Sequence, residues 1–236
     1  MRPIPTNSGH TKPTAGYDAN PTTIRLPRVD WAVCISLRRR PERWQAFESR
    51  AKYAGLGFVK RFNAIDGNEL DLPDTLKSHS GAYGCLYSHA AVYEEAIKMG
   101  ASNILILEDD AVFSSEIATI TEYAAATIGA FSWIHLGGTH PFYRKHAIVY
   151  PTHLQVAKTL STHGYIADRA LMVSYLNWLA ETPLPRSGLL HSDRLLLHLC
   201  KRHSFKICIP HHPLVWQDKS LPSDVQWGAP NPIETK

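Results

Sequence analysis

Apolar and polar positions along this chain fall into alternating strand-like and helix-like blocks. Trp31-Ala-Val-Cys-Ile-Ser-Leu37 is a short run of strand-forming residues that predicts a buried strand. Pro41 suits a first helical position; Trp44, Phe47 and Ala51 follow at helical spacing, and Gly55 marks the stop. Ser88 is placed to cap a helix carrying Val92, Tyr93, Ala96 and Ile97, ended by Gly100. Ile104-Leu-Ile-Leu107 is continuously apolar, the mark of a strand covered on both faces. Ser114 or Ser115 predicts the start of another helix, and residues 132–136 a further strand. Asp168 suits the cap of a helix over residues 169–181 that turns Leu171, Met172, Tyr175, Leu176 and Leu179 inward. Ser192 predicts the cap of a last helix through Arg202, where Lys201 and Arg202 complement the helix dipole, and residues 205–209 read as a strand. Strands separated by helices predict an α/β fold, with a mostly parallel central sheet flanked by helices. Ligands of such sheets gather at the carboxyl ends of the strands.

The two ends of the chain break this pattern. Residues 1–29 hold five of the sixteen prolines and little periodic apolar character, so they read as a flexible arm. Residues 219–236, with Pro222, Pro230 and Pro232, read as a loop-like tail, leaving 30–218 as the folded domain. With 44% hydrophobic and 19% charged residues over 236 positions, whole-chain disorder is excluded. A net charge of +4 is too mild for a dedicated nucleic-acid binder. Cys34, Cys85, Cys200 and Cys208 form no CxxC pair and read as free thiols in a reducing compartment. The start of the chain lacks the apolar core of a secretory signal. Residues 123–143 contain no Asp, Glu, Lys or Arg, but His135, Gly137, Gly138, His140 and Pro141 break any lipid-facing helix; the stretch reads as a helix end and a buried strand. The expectation is a protein without a transmembrane segment, cytoplasmic and at most peripheral to a membrane.

Chemistry concentrates at three places. Glu108-Asp109-Asp110 directly follows the fully apolar strand, where three carboxylates are costly unless a cation neutralises them. If strand geometry persists, Glu108 and Asp110 point to one side and Asp109 to the other. Two hard oxygen ligands on one side suit Mg²⁺ or Mn²⁺ that also grips phosphate. The alternative is an acidic first turn of a helix. Arg38-Arg39-Arg40-Pro41-Glu42-Arg43 also follows a strand, where arginines can hold phosphate bidentately; the alternative is a solvated basic turn. Gly81-Ala-Tyr-Gly-Cys-Leu-Tyr-Ser-His89 would let backbone approach a ligand, yet it matches neither GxxxxGK[ST] nor GxGxxG.

The order of these pieces is more specific than any one of them. ISLRRRPERW, NAIDG, GCLYSHAAVYEEA, ILILEDD, THGYIADRALM, HSDRLL and PLVWQ followed by SDV run co-linearly over residues 33–225. The series resembles glycosyltransferase family 25, the lipooligosaccharide/LPS biosynthesis and collagen-type galactosyltransferases. The resemblance implies a GT-A-like nucleotide-diphosphosugar fold and a catalytic domain over 30–218. It also implies transfer of a hexose, with galactose favoured, from a UDP-sugar donor to a hydroxyl acceptor such as a glycan, metal-dependent and with inversion. Carried over residue by residue, Glu108 and Asp110 would form the Mn²⁺ or Mg²⁺ site. Ser36, Arg39, Arg43, Asp66, Ser88, His89 and Gln217 would line the donor pocket, and Asp193 would be the general base. Ser36 stands where the family has Asn, and Arg38 where it has an acidic residue. A helix start is the alternative reading of Ser192-Asp193.

Thirteen histidines include His191, His211 and His212 near the late motifs, any of which could complete a metal site. Trp216 and Trp227 could stack on sugar faces, but buried packing is the expected role for each. Two rival functions remain. One is a transferase acting on a modified nucleic-acid base or a protein hydroxyl, with nucleic acid the less favoured acceptor. The other is a catalytically inactive sugar-nucleotide-binding scaffold on the same fold.

Overall fold

A computed structural model describes residues 23–137, 146–184, 189–218 and 220. Ten strands and five α-helices occur among them. The strands are β1 (Trp31–Leu37), β2 (Lys60–Ala64), β3 (Asn103–Glu108), β4 (Ala111–Phe113), β5 (Trp133–His135), β6 (Ile148–Val149), β7 (His153–Val156), β8 (Gly164–Asp168), β9 (Ile207–Pro210) and β10 (Val215–Gln217). The helices are α1 (Pro41–Tyr53), α2 (Ser80–Lys98), α3 (Ile120–Thr127), α4 (Arg169–Glu181) and α5 (Ser192–His203).

Eight strands form one sheet in the order β2-β1-β3-β8-β5-β9-β7-β6, while β10 and β4 make a separate antiparallel pair. β1 pairs in parallel with β2 and β3, and β5 with β9; β8 and β7 run against their neighbours. Six of the eight strands therefore point one way, as expected of a mostly parallel α/β sheet. Alternation along the central strands feeds two cores. Val33, Ile35, Ile104 and Ile106 pack on the face covered by α2, α4 and α5, whereas Ala32, Cys34, Leu105 and Leu107 face α1 and α3. The apolar run of β3 is explained by this double covering, for Ile104 to Leu107 are all fully buried.

The reversal of β8 shapes the site. Leu107 is in register with Gly164, so β8 begins beside the end of β3. The loop from Ser161 to His163 is thereby delivered to the carboxyl edge of β1, β2 and β3, and the His163 carbonyl accepts a 3.1 Å bond from the Glu108 amide.

Several sequence expectations shift here. Ser88 lies in the middle of α2, which begins at Ser80, and its hydroxyl bonds back to the Gly84 carbonyl at 2.6 Å. The predicted end near Gly100 holds, with φ +78 at that glycine. Ser114 opens no α-helix. Its hydroxyl accepts from the Glu116 amide, a 3₁₀ turn spans Ile117–Thr119, and α3 starts at Ile120. Asp168 caps α4 as expected, accepting from the Leu171 amide at 2.8 Å. Ser192 is the first residue of α5, after the His191 cap position, and accepts instead from the Tyr175 hydroxyl. The last predicted strand begins two residues later, at Ile207. Trp227, His140, Pro141, residues 1–22 and 221–236 lie outside the described residues. Within them, no helix is long and apolar enough to cross a membrane.

Candidate active site

A cleft of about 290 Å³ opens at the carboxyl edge of β1–β3. Ser36, Arg39, Arg43, Asp66, Ser88, His89, Glu108, Asp110, Asp193 and Gln217 all line it. Residues spread over 182 positions of sequence are thus brought to one cavity, from Ser36 to Gln217. Trp216 is 42% exposed and stands outside the lining, so it neither packs in the core nor faces the cavity. Arg38 is exposed and also outside the lining, which takes its charge away from the cleft.

The acidic cluster sits at the floor. β3 ends at Glu108, and the chain turns before β4 starts at Ala111, so the strict alternation expected of an extended strand does not persist and Asp109 lines the cleft too. Arg43 from α1 supplies the cation. Its Nε donates to Asp109 Oδ1 at 2.7 Å and its terminal nitrogen comes within 3.4 Å of Asp110 Oδ2. Arg43 is only 8% exposed, because Pro41 starts α1 at a register that buries Arg43, Phe47 and Ala51 on one stripe. Two turns on, Arg50 donates to the carbonyls of Asp109 (2.8 Å) and Ala111 (3.1 Å), clamping the turn that carries the acids. Helical spacing from Arg43 was the signal available for Arg50.

One arginine does not balance three carboxylates. Asp110 is 7% exposed; its Oδ2 accepts from the Gln217 amide at 3.0 Å, while its Oδ1 is buried without a hydrogen-bond partner. Burial, and then the neighbouring Glu108 charge, raise its pKa from 3.8 to about 7. Burial likewise raises that of Asp109, against the pull of Arg43 and Ser36. Glu108 behaves oppositely. Burial acts to raise it, but the His89 imidazole and the Thr162 hydroxyl hold the carboxyl below its ordinary value. Thr162 Oγ1 donates to Glu108 Oε1 at 2.6 Å, and His89 Nε2 lies 3.4 Å from the same oxygen. An orphaned carboxylate oxygen among excess negative charge fits a hard divalent cation on Glu108 and Asp110.

The cleft walls are built by backbone packing. Ser88 Oγ accepts from the Ile65 amide at 2.8 Å, tying the turn after β2 to α2. A Cβ on Gly84 would lie 2.6 Å from the Gly67 nitrogen and 2.8 Å from the Ile65 oxygen. Gly84 therefore admits another backbone, where a ligand was expected, while Gly81 lines the cleft. Asp66 caps the following 3₁₀ turn through the Asn68 amide and is ion-paired with Arg39 at the cleft mouth. Burial opposes its ionisation, yet Arg39 keeps its carboxyl below the usual range.

Asp193 has a more committed geometry than its sequence position indicated. Oδ2 accepts from the Ser161 amide at 2.9 Å and Oδ1 from the Arg194 amide at 2.7 Å. Ser161 adopts φ +81, a left-handed conformation unfavourable for a residue with a Cβ, so Asp193 helps hold a strained turn. Behind this turn His135 is buried and held neutral; burial, then the neighbouring His163, lower its pKa to about 3. Of the late histidines, His191 lines the cleft, whereas His211 and His212 do not. Asp109, Arg50, Ser161 and Thr162 are the contributors that sequence reasoning missed; Thr162 and Ser161 adjoin or belong to THGYIADRALM, but nothing in that run shows which residue meets Glu108.

Comparison with known proteins bears on this geometry. Residues 32–174 match the model of glycosyltransferase family 25 (LPS biosynthesis protein), a span that ends before Asp193 and Gln217. A "Glycosyltransferase 25 family member" of Drosophila pseudoobscura pseudoobscura is 32% identical over 102 residues, 36% of this chain and 16% of that protein. One of Aedes aegypti is 28% identical over 130 residues, 46% of this chain and 21% of that protein. The matches thus span about a fifth or less of those curated relatives' length. Among solved structures, a glycosyltransferase involved in glycosylation of the PBCV-1 major capsid aligns with TM-score 0.44 and 10% identity, over 77% of this chain and 82% of that one. A197 from STIV aligns with TM-score 0.42 and 8% identity, over 80% and 85%. At these scores the likeness bears on neither activity nor substrate.

Proposed function

This chain belongs to glycosyltransferase family 25, and from that premise we propose that it transfers a hexose from a UDP-sugar, galactose favoured, to a hydroxyl of a glycan. The observation that carries the reading is Asp110, a buried carboxylate with one oxygen unpartnered, beside Glu108 in a cleft where a single buried arginine faces three acids. Such a floor attracts a cation, and a cation there attracts a diphosphate. The GT-A-like catalytic unit is 30–218, and its location is cytoplasmic.

Glu108 and Asp110 would hold Mn²⁺ or Mg²⁺, which supplies neutralisation of the charge that develops on the departing diphosphate. Arg43 keeps Asp109 paired, so that only part of the acidic charge is open to a cation. Arg39, at the mouth, trades its Asp66 contact for donor phosphate or ribose. Ser36, Ser88 and His89 shape the floor and α2 wall. Asp193 lines the cavity from the start of α5 and retains lone pairs beyond its two backbone bonds. It takes the proton of the acceptor hydroxyl as that oxygen attacks the anomeric carbon; the bond from that carbon to the diphosphate oxygen breaks, its electron pair leaving with the nucleotide. Attack from the face opposite the leaving group inverts the centre.

The test is thermal stabilisation by a panel of nucleotides with Mn²⁺. UDP and UDP-hexoses should raise the melting temperature in a metal-dependent way, and absence of any shift by a nucleoside diphosphate contradicts the proposal.

A further inference from the structure

The cleft holds one side chain, the Cys85 thiol, whose chemistry the transfer reaction does not use. Cys85 and His89 are four residues apart on α2 and so share one face of that helix. Both turn toward Glu108 at the end of β3; a sulfur, an imidazole nitrogen and a carboxylate oxygen lie within 4.8 Å of one another. All three line the cavity, which gives an ion a route in from solvent. Among the described residues this is the one group of three or more His, Cys, Asp and Glu side chains so placed.

We propose that Cys85, His89 and Glu108 form a second metal site, for a borderline-soft ion of the Zn²⁺ type. It stands apart from the hard-cation site in two of its three ligands. The proposal does not require the transferase reading; it shares Glu108 with that site.

Ligand type selects the ion. Thiolate and imidazole favour Zn²⁺ over Mg²⁺ and Mn²⁺, whose preference is for oxygen alone. A tetrahedral Zn²⁺ holds its ligand atoms roughly 3.5 Å apart, a spacing that His89 Nε2 and Glu108 Oε1 already meet at 3.4 Å, so the adjustment falls on the Cys85 sulfur. The half-buried Cys85 side chain supplies that movement by rotating about its Cα–Cβ bond. The His89 ring is fixed from behind: Nδ1 lies 2.8 Å from the Tyr165 hydroxyl, which lies 2.6 Å from that of Tyr93. A metal on Nε2, in place of its proton, leaves Nδ1–H to donate to Tyr165, an arrangement that typically supports a metal-bound histidine. On binding, Cys85 gives up its thiol proton to solvent and the sulfur–metal bond replaces it. Water completes the fourth position, since the cavity is open. Two divalent ions sharing Glu108 repel each other at short range, so occupation of this site weakens the hard-cation site, and Zn²⁺ acts against Mn²⁺.

The experiment uses Co²⁺ as a visible stand-in for Zn²⁺ on the whole chain. Wild type should show a thiolate-to-cobalt charge-transfer band that stoichiometric Zn²⁺ abolishes. Cys85→Ser should lose the band and bind Zn²⁺ at least tenfold more weakly, the scale on which even outer partners of metal ligands act. Asp110→Asn, which disables the hard site, should keep the band. A readout without variants is alkylation mapped by mass spectrometry: Zn²⁺ should shield Cys85 and Mg²⁺ should not. Cobalt binding without the band, a band that survives Cys85→Ser, or equal shielding by Mg²⁺ overturns the proposal.

Discussion

Asp110→Asn should stabilise the metal-free protein, and by more at high pH. The carboxylate is 7% exposed, close to Glu108, and has one oxygen without a partner. Its pKa rises on folding from 3.8 to about 7, so between those values the folded chain binds a proton that the unfolded chain lacks. Stability contributed by that proton is full below about pH 4 and is lost as pH rises through about 7. At about 1.4 kcal/mol per pH unit, the ionised group costs the fold about 4 kcal/mol near pH 8 but only about 2 kcal/mol near pH 5. The amide keeps the shape and removes this pH-dependent cost. For a chain of this length about 2–4 °C accompanies each kcal/mol, so the gain should be roughly 10 °C near pH 8 and about half that near pH 5. Thermal unfolding in chelator, wild type against variant at both pH values, measures it. With Mn²⁺ near pH 8 the order should narrow or reverse, since only wild type retains the charged ligand. A variant no more stable than wild type in chelator, or a gain that does not grow with pH, refutes this account of the acidic floor.

Asp193→Ala should preserve the nucleotide-induced melting shift while lowering transfer about 10²–10⁴-fold, as for loss of a general base; near-normal transfer would reduce Asp193 to a support for the Ser161 turn. Gly84→Ala should destabilise by several kcal/mol in urea unfolding, because the added methyl would sit 2.6 Å from the Gly67 nitrogen, where no flexible side chain can yield. A loss below about 1 kcal/mol would show that the turn and α2 separate readily.

Much of this arrangement was legible in the sequence because adjacent residues state local rules plainly. The apolar run of β3 announces a strand buried on both faces, and the acids that follow it must lie at its carboxyl end. Pro41 opens α1, and Phe47 and Ala51 are buried as their spacing predicts. Arg43, however, takes the buried place beside them and Trp44 stays half-buried, because the acids at the end of β3 draw the guanidinium inward. Glycine was misread where its partner is remote: Gly84 is required by Gly67, seventeen positions earlier, and no local pattern records that approach. Ser88 misled for a related reason. A serine bonding back to Gly84 from inside a helix and a serine capping one look alike until the helix start is known. The reversal of β8 was equally hidden, since its direction is set by packing beside β3, and it alone explains how Thr162 reaches Glu108.

The central claim is that a divalent ion on Glu108 and Asp110 prepares a UDP-hexose for transfer. It is tested most directly by incubating the chain with individual UDP-hexoses and Mn²⁺, without acceptor, and measuring release of free hexose. Slow hydrolysis of one donor, dependent on Mn²⁺ and abolished in Asp110→Ala, is the result predicted. Hydrolysis of no nucleotide sugar, or hydrolysis that persists undiminished in Asp110→Ala, would contradict the account.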